Sequence, residues 1–311
     1  MKRLLILFFL VLTACQSGSV PGVSSELSSL TSLLSSSEIV SSSLPSSEDP
    51  LVFDDNVVYG TDERHVLEYA YLPSESPRAM VMLVHGGSWI GGDKSMMRPY
   101  RDVLVQQGYL YVSINYRLLL SGATYVEMLN DLGLAIQFIR LNASFFNLDT
   151  TQMALFGVSA GAHLSLLYAY SRTSPIPIDY VVALVPPVDF SDPAFLTMGN
   201  QELQLFQINS LTGTNVADAE ELETNGYPQP WLDASPITYA ATAVPSLFAY
   251  AGQDELIPSS NLPRLLAELD TFEKPYESLY FPNSGHSLSG DPELIPLLNQ
   301  KIVTGLSLSL D

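Results

Sequence analysis

The sequence predicts an α/β chain built on a mainly parallel sheet, and three observations predict it. From Leu51 onward, short apolar runs alternate with stretches of helical periodicity, the order produced by strands joined through crossover helices. Most of those runs are apolar almost throughout instead of alternating, as strands covered on both faces must be. The 311 residues are 47% hydrophobic and 15% charged, enough to bury a large core, and with Cys15 the only cysteine no internal disulfide staples it.

Taken in order, HVLEYAYL (65–72) alternates like an outer strand. AMVMLVHG (79–86), YLYVSINY (109–116), MALFGVS (153–159), YVVALVP (180–186) and PSLFAYAG (245–252) read as buried strands, and YESLYFP (276–282) as the last. Residues 124–142 place Val126, Leu129, Leu132, Ile136 and Ile139 at three- and four-residue steps, which puts one apolar helical face against the sheet. Residues 259–272 and 291–306 show the same spacing, with Ser259 and Asp291 placed to cap them. One domain, 51–311, accommodates all of this. Residues 187–240, rich in Pro, Asn, Gly and acidic side chains, interrupt the alternation and read as a small insertion over one end of the sheet.

Residues 1–15, MKRLLILFFLVLTAC, run from Lys2 and Arg3 through an apolar block to small residues. The block is too short to span a bilayer, which takes about 20 apolar residues in a helix, so it reads as an export signal. Its end, Leu12-Thr13-Ala14-Cys15, resembles the lipobox of bacterial lipoproteins, which implies that Cys15 is lipidated and becomes the mature N-terminus. The expectation is an exported protein lipid-anchored to the bacterial cell envelope, its folded domain outside the cytoplasm. Residues 16–50 are dominated by serine and read as a disordered tether. The formal net charge of -20, with no basic stripe, argues against a nucleic-acid partner.

The residues that carry chemistry begin at Gly157-Val158-Ser159-Ala160-Gly161. A chain that passes from strand to helix within a residue or two needs small neighbours around a strained turning residue, and the strain holds the Ser159 hydroxyl above the sheet. A nucleophilic serine needs a base and a carboxylate to orient that base. His286 follows the last strand, at the carboxyl edge of the sheet, and is the candidate base. His163, one helical turn beyond Ser159, and His65 read as structural. Asp254 follows an apolar strand and completes the order serine, acid, histidine; Glu255 is its alternative and Asp189 a weaker one. Gly86, Gly87 and Ser88 follow a buried strand and, with the Ala160 amide, read as the oxyanion site. Trp89, Phe206, Tyr227 and Trp231 either line the substrate pocket or cover core beneath the insertion.

In these residues the chain resembles the α/β-hydrolase esterases and lipases with an HGG-type oxyanion motif, a group that includes carboxylesterases, feruloyl esterases, acetylxylan esterases and kynurenine formamidases. HGGSW, DLGLAIQFIRLNASFFNLDTTQMALFGVSAGAHL, ASPITYA, GQDELIP and SGH fall in family order over most of 79–300. Ser88 stands where many relatives have a third glycine, Val158 where many are polar, and Ala162 for another common glycine. The resemblance implies Ser159 as nucleophile, Asp254 as orienting acid and His286 as base, with Gly86, Gly87, Ser88 and Ala160 around the oxyanion, and no metal or cofactor. It implies ester hydrolysis through an acyl-enzyme, and the expected place outside the cytoplasm suits short-chain or carbohydrate-linked esters. The alternatives are a kynurenine-formamidase-like amidase, an oligopeptidase-like serine peptidase and, from another class, a non-catalytic surface binding protein on a hydrolase scaffold.

Overall fold

In the computed structural model, which describes residues 51–310, eight strands form one sheet: β1 (Val52–Val58), β2 (Val66–Tyr71), β3 (Arg78–Val84), β4 (Leu110–Ile114), β5 (Leu148–Val158), β6 (Ile178–Leu184), β7 (Ser246–Ala251) and β8 (Tyr276–Phe281). Their spatial order is β1-β2-β4-β3-β5-β6-β7-β8. The β1–β2 and β2–β4 pairs are antiparallel and all the others parallel. The export signal, Cys15 and the serine-rich stretch lie outside the described residues.

Alternate side chains of each central strand serve opposite cores, which is why the runs are apolar throughout. Met80, Met82 and Val84 of β3 join a large cluster with α2 (Tyr125–Leu141), reached past α1 (Arg101–Gln106), and with α4 (Ala160–Ser171), which follows the short α3 (Ala143–Phe146). Val81 and Leu83 face the other way, into a cluster closed by Leu104 and Val105 of α1 and by Leu298, Ile302 and Leu306 near the C-terminus. Thr124 and Glu127 form a capping box that starts α2.

Three expectations are corrected. HVLEYAYL is not outermost: β1 pairs outside it, so the four central residues of β2 are buried while most of β1 is exposed. The polar run Asp54-Asp55-Asn56 breaks the apolar pattern of β1 and hides it in the sequence. Glu68 of β2 is consequently a fully buried carboxylate, held by Arg98 and the Tyr111 hydroxyl.

The expected caps act otherwise. Helix α8 (Asn261–Thr271) begins two residues after Ser259, and its N-cap Ser260 makes no side-chain cap; the Ser260 hydroxyl donates to Asp192 instead. Asp291 precedes a 3-10 turn, Pro292–Leu294, and the last helix, α9 (Ile295–Leu310), starts only at Ile295. The Asp291 carboxylate accepts from Asn283 N at 2.9 Å, Asn283 Nδ2 at 2.7 Å and Ser284 Oγ at 2.7 Å, and so fixes the loop that carries His286.

Between β6 and β7 the inserted segment forms α5 (Gln201–Thr212), α6 (Ala219–Asn225) and α7 (Gln229–Asp233), flanked by 3-10 turns. Its Phe190, Leu205, Leu211 and Trp231 are buried in the same cluster as α2 and α4.

Candidate active site

Ser159 stands between the end of β5 and the first residue of α4, with φ 54° and ψ −122°, a conformation L-residues rarely adopt. The surrounding structure imposes it: Ser159 N donates to Leu184 O at 2.8 Å and Ser159 O accepts from His163 N at 2.9 Å. The flanking glycines are required by close approach. A Cβ on Gly157 would lie 2.3 Å from Gly161 O, and one on Gly161 would lie 2.1 Å from Val84 O.

His286 Nε2 is 2.9 Å from Ser159 Oγ, and His286 Nδ1 is 2.8 Å from Asp254 Oδ2. A carboxylate accepts only, so the ring carries its proton on Nδ1 and turns the Nε2 lone pair toward the serine hydroxyl. Asp254 is itself held by the amides of Leu256 and Ile257, which donate to its Oδ1 at 2.9 and 3.0 Å, and its side chain is 2% exposed. Glu255, the alternative acid, instead accepts from the His286 backbone N–H at 3.4 Å. Asp189 is buried in an ion pair with Arg264.

After β3 the chain turns through three consecutive left-handed residues, Gly87 (φ 118°), Ser88 (53°) and Trp89 (59°). The loop imposes this conformation on Ser88 and Trp89, which have side chains, as well as on Gly87. Gly87 O accepts from the amides of Ile90 and Gly91, both at 3.1 Å, which closes the turn. Among the described residues nothing accepts from the amides of Gly87, Ser88 or Ala160, so these donors remain free for a ligand. Gly86 brings the loop against the serine, since a Cβ on it would lie 3.2 Å from Ser159 Cβ.

The side chains of His65 and His163 are bonded elsewhere, within the core. His65 Nε2 is 2.9 Å from buried Asp131. His163 is fully buried; its Nε2–H donates to Ala234 O at 2.7 Å and its Nδ1 accepts from Trp89 Nε1 at 3.3 Å. Burial pulls its pKa down to about 4.

A cavity of about 310 Å³ opens beside Ser159 and His286. Its walls include the oxyanion loop, Met96, Met97, Pro99 and Tyr100 from the Lys94–Tyr100 turn, Leu184 and Val185 at the end of β6, and Leu288, Ile295 and Leu298. None of the four aromatic pocket candidates is among them, and no residue of the 187–240 insertion is either. Trp89 turns its indole into the core toward His163, Trp231 is fully buried with Nε1 donating to Thr214 Oγ1 at 2.8 Å, and Tyr227 packs on Trp231. Phe206 lies on α5, 36% exposed. The reason is that a buried indole needs an acceptor for its N–H, and each tryptophan finds it in the core. The true wall residues had one sequence signal, the Met96-Met97 pair directly after the glycine-rich loop.

Residues 69–269 match the family model BD-FAE. Among curated relatives, Esterase LipQ of Mycobacterium tuberculosis is 27% identical over 75% of this chain and 56% of its own length. Esterase LipC of the same organism is 26% identical over 74% and 58%. The chain thus spans little more than half the length of these relatives. Of solved structures, a truncated carbohydrate esterase from gut microbiota superposes with a TM-score of 0.68 at 19% identity, over 86% of this chain and all of that one. Esterase B from Lactobacillus rhamnosis, in an inhibited form, gives 0.67 at 16% identity, over 96% and 97%. These likenesses show the fold, an α/β-hydrolase sheet, and the family match covers more than half of the chain. The chain therefore belongs to the BD-FAE family of α/β-hydrolases.

Proposed function

We propose that this chain is a serine carboxylic-ester hydrolase that works through an acyl-enzyme. The observation that carries the reading is the unbroken line from Asp254 to His286 to Ser159 at 2.8 and 2.9 Å, ending beside amides that have no partner among the described residues. His286 Nε2 takes the hydroxyl proton as Ser159 Oγ bonds to the ester carbonyl carbon, and the negative charge that develops on oxygen faces the Gly87, Ser88 and Ala160 amides. The C–O bond to the alcohol breaks as His286 returns the proton to it. Water, deprotonated by the same nitrogen, then releases the acid and restores the serine. The esterase names of LipQ and LipC support ester over amide or peptide bonds. The alignment of the three side chains also removes the ground for a purely binding role.

The apolar cavity receives the acyl chain, its walls offering Met96, Met97, Leu288 and Leu298 and no acidic, lysine or arginine side chain. Each methylene it buries contributes about 0.8 kcal/mol, roughly fourfold in kcat/KM. Rates on p-nitrophenyl acetate, butyrate and octanoate test both points. kcat/KM is expected to rise by about 15-fold from acetate to butyrate, two methylenes, and to level off once the cavity is full. A folded protein inactive on all three would overturn the ester reading, whereas a flat profile would overturn the assignment of the cavity.

We further propose that Cys15 is the lipidated residue of an envelope-anchored protein, a reading supported by the leader sequence alone. Metabolic labelling with a fatty-acid analogue is expected to mark the full chain and to be lost in Cys15→Ala; equal labelling of both would refute it.

A further inference from the structure

His85, the residue after β3, is fully buried directly behind the oxyanion loop. Its Nδ1 is 2.7 Å from Gly86 O, and its Nε2 is 3.2 Å from Arg64 Nη2. A guanidinium donates and never accepts, so Nε2 is the lone-pair nitrogen and the proton on Nδ1 is donated to the Gly86 carbonyl. That carbonyl and the Gly87 N–H belong to one planar trans peptide, with oxygen and hydrogen on opposite sides. Drawing the oxygen toward the His85 ring therefore turns the Gly87 amide away from the ring. Gly87 lines the cavity with Ser159, so this is the direction an oxyanion donor requires.

Arg64 holds the other side of the ring and both segments that frame it. Its Nη2 also donates to Gly92 O at 3.0 Å, and its Nε donates to Tyr116 O at 3.1 Å. The Tyr116 ring stacks on His85 at 4.4 Å between centroids, and its hydroxyl donates to His85 O at 2.8 Å. The Gly92 backbone lies so close over the His85–Gly86 hydrogen bond that a Cβ there would be 2.3 Å from Gly86 O and 2.4 Å from His85 Nδ1. One half-buried guanidinium thus ties the imidazole to the far end of the oxyanion loop.

We infer that Arg64 is a positioning residue for the oxyanion site: by occupying His85 Nε2 and the Gly92 carbonyl, it holds the imidazole in the tautomer and plane that aim the Gly87 amide. The inference rests on the ester-hydrolase reading. A misaimed amide weakens the transition state more than the bound ester, so the effect belongs in kcat and not in KM.

The test compares the parent protein with Arg64→Met and Arg64→Lys on p-nitrophenyl butyrate, with thermal melts and nitrogen-15 spectra of labelled histidine, the His85 signals being assigned through His85→Asn. Loss of a whole oxyanion donor costs about 100- to 1,000-fold, so Arg64→Met is expected to lower kcat by about 10- to 100-fold with KM within about twofold. Arg64→Lys, which can reach one acceptor but cannot fork, is expected to fall in between. The parent spectrum is expected to show a neutral His85 protonated on Nδ1, with that pattern changed in Arg64→Met. A folded Arg64→Met with kcat within about twofold of the parent overturns the inference, as does a parent His85 protonated on Nε2. Should Arg64→Met fail to fold, Arg64→Lys decides in the same way: a lowered kcat at constant KM supports the role, and an unchanged kcat overturns it. A parent inactive on every ester defeats the ester-hydrolase reading instead, and the histidine spectra still report on the Arg64–His85 pair.

Discussion

Ser159→Ala is expected to lower kcat on p-nitrophenyl butyrate by about 10⁵- to 10⁶-fold while leaving the fold intact. Its hydroxyl is the group His286 Nε2 faces at 2.9 Å, and among the described residues that nitrogen has no other hydrogen-bond partner. Alanine accepts the φ of 54° no worse than serine does, so the elbow keeps its shape and the loss is chemical. His286→Ala is expected to cost about as much, and the double variant little more, because nucleophile and base act as one unit. What remains, about 10³-fold over the uncatalysed rate, would come from the free amides of Gly87, Ser88 and Ala160. A fluorophosphonate should add one equivalent of mass to the parent and none to Ser159→Ala. If the variant kept more than about 1% of the activity, far above what removal of a triad serine leaves, Ser159 would not be the nucleophile.

The central strands were legible because burial on both faces leaves no room for polar residues, so MVMLV and VVAL announce themselves whatever surrounds them. The elbow was legible for a related reason: the residues that make it tight, Gly157 and Gly161, must lie within a few positions of Ser159. Order along the chain then singled out Asp254 and His286. The cavity was not legible, because its walls come from the 94–100 turn, the ends of β5 and β6 and the start of α9, segments brought together only by the folded sheet. Tryptophans next to the motifs were attractive as pocket walls, yet Trp89 and Trp231 carry an N–H that must be satisfied when buried, and His163 and Thr214 do so in the core. Asp291 shows the same limit. Its place before a helical pattern suited a cap, but the backbone of the His286 loop competes for the carboxylate and wins. Arg64 carried no signal at all, since what it does depends on a histidine and a glycine over twenty residues away.

The second large effect is acid sensitivity, expected to develop well above the range in which carboxylates titrate. His85 and His163 are both held neutral, and burial, the larger cause in each, brings their pKa from 6.5 down to about 4. Neither site has room for a second proton. In His85 it would point at the Arg64 guanidinium, and the nearby Asp93 and Lys94 act in opposite directions. In His163 it would displace the Trp89 indole N–H. The unfolded chain, whose histidines titrate near 6.5, therefore binds more protons than the native state as pH falls through this range, and stability must fall with it. Stability from these two groups is complete above pH 6.5 and is lost progressively down to about pH 4. At 1.36 kcal/mol per pH unit this is about 3 kcal/mol for each histidine, and the slope approaches about 2.7 kcal/mol per pH unit where both take part. Asp93, which accepts from Ser95 and Asn115, is held well below the usual carboxylate range, so its contribution disappears only at still lower pH. Urea denaturation at pH 8, 6.5, 5.5 and 4.5 checks the sign: a plateau from 8 to 6.5 followed by a steep decline is expected. A stability unchanged down to pH 4.5 would mean that His85 and His163 can accept protons in place.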